Sequence, residues 1–311
     1  MQMAHVLGVG AYGQVVKRGQ YACKQCKVRN IREDIGGWTG VAREMHCGGF
    51  EHPHICTRYT LECQNFQMSI RMELGTPFDV MRAHPQKLLC EIGSALQFLH
   101  ANGILHRDVK PDNIILVGGV HKLIDFGLAR PHSKGTDCLS DYAITRFWRP
   151  PELLTGSETY DGKCDVWSLG VVYYHAVYKK KPFAGNAAQM MKAIRRFRPT
   201  GILQHLLVSA DRRFTSDELM VHLGRTPFVR RVRLLSGGYH KCKVPHVPVS
   251  VRRVMDQYRF KSTKQMTVVA ILASLVCGFE EDAALLVENM MLHYNMTQAQ
   301  VFAKLATCEK M

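Results

Sequence analysis

The stretch HRDVKPDNIIL, residues 106–116, sets a carboxylate, an ammonium and an amide within six residues and runs straight into an apolar strand. In that order each polar group has a use in moving a phosphoryl group. Asp108 can accept a hydroxyl proton, Lys110 can steady the transferred group, and Asn113 can hold a metal. These uses require partners elsewhere in the chain. KLIDFGLAR (122–130) supplies one, because Asp125 follows a buried-strand pattern and precedes a Phe-Gly break. With Asn113 it makes an oxygen donor set suited to Mg²⁺, a hard cation.

A second partner lies near the start of the chain. LGVGAYGQVVK (7–17) sets three glycines and an aromatic tip between two short strand-like runs. The segment Leu7, Gly8, Val9, Gly10, Ala11, Tyr12, Gly13, Gln14 and Val15 could lay backbone amides against a polyphosphate where a Cβ would collide. On its own this pattern equally suits a tight hairpin. YACK follows, and strand alternation points Ala22 and Lys24 to one face. A small residue there suits a purine and an ammonium suits phosphates, although a surface lysine on an edge strand fits as well. In VAREMHCGGFEHPHI (41–55) the front half reads as helix, with Val41, Met45 and Phe50 as apolar contacts. Glu44 could then pair with Lys24.

Bulk composition limits the alternatives. With 311 residues, 46% hydrophobic and 22% charged, the chain is an ordinary globular protein of one or two domains. Eleven cysteines are an odd count without a repeated spacing, and the N-terminus lacks the pattern of a secretion signal. Reduced thiols and an intracellular place, nucleus or cytoplasm, are expected. Cys23 and Cys26 read as neighbours on a strand rather than as a zinc or redox pair. The run MTVVAILASLVCGF (266–279) is too short to span a bilayer, so no membrane association is expected. Of the net charge of +15, residues 225–266 carry +10, with SGG and VPHVPV as punctuation. A boundary is therefore expected near residue 228, followed by a basic connector (229–265) and a helical tail (266–311). The basic segment suits an acidic or polyanionic partner. A scaffold or nucleic-acid-binding role is the rival function, though RRVR, HKCK and VRRV with only Tyr239, Tyr258 and Phe260 interleaved form a weak signature.

Taken in order, the glycine loop, strand lysine, helix glutamate, HRDVKPDN, DFG and PPE resemble the motifs of eukaryotic-type protein kinases over roughly residues 1–228. Val replaces the usual Leu in HRDVKPDN, and PPE stands for APE. DVWSLGVV (165–172) and RFTSDEL (213–219) are similar to a buried helix and a late arginine of that family, which implies a pair between Arg213 and Glu152. The resemblance implies an α+β, bilobal fold: a small β-rich lobe over about 1–75, a larger helical lobe over 76–228, and the helical C-terminal extension. It implies ATP and Mg²⁺ as cofactors and proteins as substrates. MELG becomes the hinge, with Met72 guarding a back pocket, Glu73 and Gly75 offering backbone groups to adenine, and Leu116 among the nucleotide contacts. Because Lys24, Glu44, Asp108, Asn113 and Asp125 are all present, an active enzyme is expected rather than a pseudokinase.

Lys110 resembles the serine/threonine branch, and DYAITRFWRPPELL (141–154) is similar to the corresponding stretch of cyclin-dependent and mitogen-activated kinases, the CMGC group. Arg149 matches an arginine of that group, whose members favour proline after the target residue. In those families an activating phosphate sits where Ser140 falls here, with a tyrosine at Tyr142, and is gripped by arginines matching Arg43, Arg107 and Arg130. An activating upstream kinase is thereby implied. The chain departs from the group by its short stretch between KPF (181–183) and DRR (211–213). Such a shortened kinase with an unfamiliar tail suits a large DNA virus or a fast-evolving lineage. The tail reads as three or four helices, faintly similar to the opening of a cyclin box, and packing on the large lobe is expected.

Overall fold

The computed structural model describes residues 5–10, 13–27, 32–47, 50–64, 67–131, 146–156, 161–225, 251, 254–255, 257, 262–277 and 279–305. The chain divides into two compact units. One comprises residues 1–49, 58–74 and 229–311; the other comprises 50–57 and 75–228.

The first unit is built on a five-stranded antiparallel sheet. Its strands are β1 (His5–Gly10), β2 (Gly13–Arg18), β3 (Tyr21–Lys27), β4 (Arg58–Gln64) and β5 (Gln67–Glu73), in the order β1-β2-β3-β5-β4. The β1–β2 register slips between Val6 and Gly8, which leaves Leu7 as a bulge. Gly13 is fixed by strand approach: a Cβ on it would lie 1.9 Å from the Gln25 carbonyl oxygen. Its glycine thus answers to the sheet before any ligand.

Helix α1 (Ile35–Cys47) starts six residues before the apolar pattern suggests. The Asp34 carboxylate accepts from the Gly37 amide at 3.0 Å and so satisfies a donor of the first turn. Gly36 and Gly37, poor helix formers, conceal this start from propensity. The sequence pattern groups Phe50 with Val41 and Met45 as an apolar contact. Phe50 lies in the second unit, edge-on to Phe98 at 5.6 Å.

In the second unit, β6 (Thr76–Pro77), β8 (Ile114–Val117) and β9 (Val120–Leu123) form a small sheet, and β7 (Ile104–Leu105) pairs with β10 (Arg130–Pro131). The helices are α2 (Pro85–Ala101), α3 (Pro151–Leu154), α4 (Lys163–Tyr178), α5 (Ala187–Arg196), α6 (Leu203–Leu206) and α7 (Ser216–His222). Helix α2 has Pro85 in its first turn and a His84 cap, and it buries Leu89, Ile92, Leu96 and Leu99 as their spacing predicts. Helix α4 buries every residue from Cys164 to Val172. Residues 50–57 revise the expected lobe boundary. Cys56 donates its amide to Leu123 at 3.0 Å, and the Leu123 amide donates to His54 at 2.9 Å, which stitches this loop to β9.

The tail returns to the first unit as α8 (Thr263–Cys277), α9 (Glu280–Tyr294) and α10 (Gln298–Leu305). Packing on the large lobe is therefore corrected: α8 packs on α1, with α9 and α10 against α8. The physical reason is legible in α8, which is apolar on all sides and needs cover on all sides. Every residue from Val268 to Val276 is buried. Trp38, Val41 and Ala42 of α1 with Cys26, Met68 and Ile70 of the sheet share one core with Ala283, Val287, Met290, Val301 and Phe302. Glu280, Glu281 and Asp282 open α9, where the helix dipole favours them. A reciprocal cap between Thr297 and Gln300 opens α10, at 2.9 and 3.2 Å. Most of the basic segment 225–266 lies outside the described residues. Among the described residues no helix is long and apolar enough to cross a membrane.

Candidate active site

The loop after β7 is set by one buried carboxylate. Asp165, in the first turn of α4 and 1% exposed, accepts from the backbone amides of His106 at 2.9 Å and Arg107 at 2.7 Å. The His100 ring bonds its Oδ2 at 2.9 Å. Burial pushes the Asp165 pKa up, but the His100 hydrogen bond and the charges and amides around it outweigh burial and hold it below the usual value. Two directed bonds from one rigid helix let Arg107 keep a φ of 70°, in the left-handed region that a non-glycine residue reaches only at a cost.

The same loop gathers the polar residues of the motif. Asp108 Oδ2 accepts from Lys110 Nζ at 2.6 Å and from Asn113 Nδ2 at 2.7 Å. Asn113 Nδ2 also donates to the Asp108 carbonyl at 2.8 Å, from a 3₁₀ turn spanning Pro111–Asn113. The side-chain nitrogen of Asn113 is thus committed to Asp108, and its Oδ1 is the atom that could face a cation. Asp125 is tied in through the backbone, since the Ile124 amide donates to the Asn113 carbonyl at 3.0 Å. Asp125 has a φ of 63°. Next to it Phe126 is buried edge-on to His106, with centroids 5.1 Å apart. His106 Nε2 meets the Ile124 carbonyl at 3.1 Å while its Nδ1 accepts the Asp108 amide at 3.3 Å, so one imidazole braces both motifs.

In the first unit Lys24 and Glu44 form an ion pair, joining β3 to α1, with side chains only 13% and 10% exposed. Across the sheet Lys24 lies opposite Val15 and Ile70, and Ala22 opposite Met72. Leu7, Val9 and Gln14 are exposed, Val15 is half-buried, and Gly8 and Gly10 belong to β1. Ala11 and Tyr12 lie outside the described residues. Glu73 ends β5.

Gly75 belongs to the second unit, where a Cβ would meet Ile115 Cδ1 at 2.8 Å and the Leu116 carbonyl at 2.9 Å. Close packing on β8 requires glycine there. Leu116 itself is half-buried and pairs with Thr76.

The implied ion pair is present: Arg213 meets Glu152 at 2.6 and 3.0 Å. Arg213 also donates to the carbonyls of Val208 and Lys163 and lies 4.8 Å from the Trp167 ring. Arg130 pairs with Leu105 in the β7–β10 ladder, two residues before Arg107, whose Nη1 donates to the Leu128 carbonyl at 3.4 Å. Arg43 is buried in α1, and Arg149 is half-buried after a 3₁₀ turn. Ser140 and Tyr142 lie outside the described residues. Among the described residues no group of three His, Cys, Asp or Glu could hold a metal, and Cys23 and Cys26 are buried strand residues. The anchoring roles of Asp165 and His100 go beyond the motif reading. An aspartate opening an otherwise apolar buried helix was the signal, because a buried carboxylate has to be paired.

A family model described as the protein kinase domain matches residues 1–225. Cyclin-dependent kinase 4 of Ovis aries is 32% identical over 213 residues, 58% of this chain and 68% of its own length. Cyclin-dependent kinase 2 of Caenorhabditis elegans is 30% identical over 199 residues, 58% of this chain and 54% of its own. Mitogen-activated protein kinase 5 of Oryza sativa subsp. indica is 37% identical over 109 residues, 35% of this chain and 29% of its own. With its two-unit architecture and this motif geometry, the chain belongs to the protein kinase family, and it is a serine/threonine kinase of the CMGC group with the bilobal kinase fold.

Proposed function

We propose that this kinase uses Mg²⁺ and ATP to phosphorylate serine and threonine hydroxyls of proteins, with a preference for proline just after the target. The observation that carries the proposal is the Asp108–Lys110–Asn113 network, held on Asp165. Phosphoryl transfer asks little covalent chemistry of the protein and depends on positioning and neutralised charge. Asp108 orients the substrate hydroxyl and takes its proton late, while Lys110 steadies the transferred group. Lys24, kept in place by Glu44, offers its ammonium to phosphate oxygens.

The donor set fits a hard cation: the Asp125 carboxylate and the Asn113 side-chain oxygen, Oδ1, would hold Mg²⁺. When bound, that ion neutralises charge building on the phosphate oxygens. The small lobe offers Leu7, Val15 and Ala22 as apolar surface for a base and the backbone of Glu73 for its edge. The large lobe offers the backbone of Gly75 and the side chain of Leu116. Arg149 supports proline preference through its match to the CMGC pattern. A phosphate on Ser140, added by an upstream kinase and answered by Arg43, Arg107 and Arg130, is the corresponding control.

The test compares wild type with Asp108→Asn and Lys24→Met, using labelled ATP and paired Ser-Pro and Ser-Ala peptides. Each variant is expected to fold and to lose at least about a hundredfold in turnover. Wild type should favour the Ser-Pro peptide. Turnover above a tenth of wild type in Lys24→Met removes the lysine's assigned role. Equal use of the two peptides removes proline direction and leaves the kinase reading standing.

A further inference from the structure

Helix α1 is buried to an extent that a helix lying on a sheet does not reach alone. Trp38, Thr39, Val41, Ala42, Arg43, Glu44, His46 and Cys47 are all buried. A helix on one face of a sheet ordinarily leaves its far side in water. Here that side carries Trp38 and Thr39, and the tail covers it. Phe302 of α10 packs edge-on to Trp38 with centroids 4.9 Å apart. Thr39 Oγ1 donates to Glu280 Oε1 of α9 at 3.2 Å. Just before α1, Arg32 pairs with Glu288 at 2.7 Å. Helix α8 packs on α1 as well.

At 100° per residue, the face centred between Trp38, Thr39 and Ala42 lies about half a turn from Glu44. The tail therefore presses α1 from the side opposite the residue that holds Lys24. A swing or rotation of α1 away from β3 would draw Glu44 off Lys24. The same motion would drive Trp38 into Phe302 and into the core that α8 fills. Closely packed interiors do not deform continuously, so the tail's seat and the ion pair are mechanically one.

We propose that residues 263–305 are a built-in positioning element for α1, which hold Glu44 on Lys24 and so keep this lobe in its working geometry without a separate activating subunit. Trp38 and Phe302 are its positioning residues. The inference rests on the kinase reading above. It assigns to the tail a function in catalysis that the matched kinase region, residues 1–225, does not contain.

The experiment uses the full chain, purified alone, with Phe302→Ala, Phe302→Leu and Lys24→Met, at a temperature where each is folded by circular dichroism. Peptide turnover is resolved into kcat and KM, and amide hydrogen exchange is followed in residues 38–47 and, as a control, in 163–178. Phe302→Ala is expected to lower kcat at least tenfold, leave the peptide KM within twofold, and speed exchange in 38–47 alone. Phe302→Leu should recover most of the loss, since it refills the seat. A purely structural role would give loss in proportion to the unfolded fraction and no such split.

If Phe302→Ala does not fold, Thr39→Val combined with Phe302→Leu carries the test, with at least a threefold loss of kcat expected. Wild-type kcat in these folded variants overturns the positioning role while the kinase reading stands. A wild-type chain that phosphorylates only after another protein is added overturns the self-sufficiency. A wild type indistinguishable from Lys24→Met even then removes the kinase reading and this inference with it.

Discussion

Around Ile271 the small lobe buries nine consecutive residues of one helix, eight of them apolar. Around Asp165 the large lobe buries a carboxylate, His106 and the Arg213 guanidinium, which pairs with the half-buried Glu152 of α3. The first kind of core is non-directional, because apolar burial rewards area rather than angle. The second is directional, because each hydrogen bond has a preferred line. The division matches the tasks. On the proposed reading, a helix to be held in place needs mass behind it, whereas a loop that presents Asp108, Lys110 and Asn113 at set angles needs bonds to its backbone.

The comparison breaks most visibly at Arg213. Removing one partner of a buried ion pair leaves the other charge uncompensated, so Arg213→Ala is expected to cost about 3–5 kcal/mol in urea denaturation. Replacing both partners by apolar residues, as in Arg213→Met with Glu152→Leu, should recover much of that loss. Equal losses in the single and double variants would mean that the pair is not what holds α3 near α4.

In the small lobe the same logic gives a smaller, pairless effect. Ile271→Val should cost about 1 kcal/mol, and Ile271→Leu no more than about 1.5 kcal/mol, since volume is nearly conserved. No second substitution is expected to rescue either one. An Ile271→Leu loss as large as that of Arg213→Ala would show that the tail core is as shape-specific as the polar one.

Much of the candidate site was legible because its residues are contiguous. HRDVKPDN and DFG are short strings, and their partners in the structure lie within or next to them. Strand alternation put Lys24 on one face with Ala22, and the family resemblance suggested Glu44 as its partner. What stayed hidden depends on residues far apart in the chain. The anchoring of the loop by Asp165 spans 58 or 59 positions. Trp38 was obscured by the glycines that open α1. The destination of the tail was hidden for a different reason. An all-round apolar helix says that it needs walls, but not whose, and α1 with the sheet supplies a wall as good as any in the large lobe.

The smallest effect separates the cores by pH. His52 packs on Phe98 with centroids 4.9 Å apart, accepts the His54 amide on Nδ1 at 3.2 Å and meets Ser94 Oγ through Nε2 at 3.4 Å. That arrangement requires neutral imidazole, because protonation at Nδ1 would remove the acceptor. Burial, with the charges of His54 and Lys122 adding to it, lowers the His52 pKa from 6.5 to about 4. The unfolded chain therefore binds a proton that the folded chain refuses as pH drops below about 6.5. The stability linked to neutral His52 is present above that value and is lost progressively as pH falls towards 4. His54, also lowered chiefly by burial, acts in the same direction. Asn at position 52 keeps an acceptor but does not titrate. Melting of His52→Asn should therefore start lower than wild type at pH 7, through the lost Phe98 contact, and the gap should narrow by pH 4.5. Parallel melting curves across that range would show that the large lobe's histidines do not set its acid sensitivity. The apolar run of α8 has nothing to titrate, so Ile271→Val should stay a constant distance below wild type over the same range.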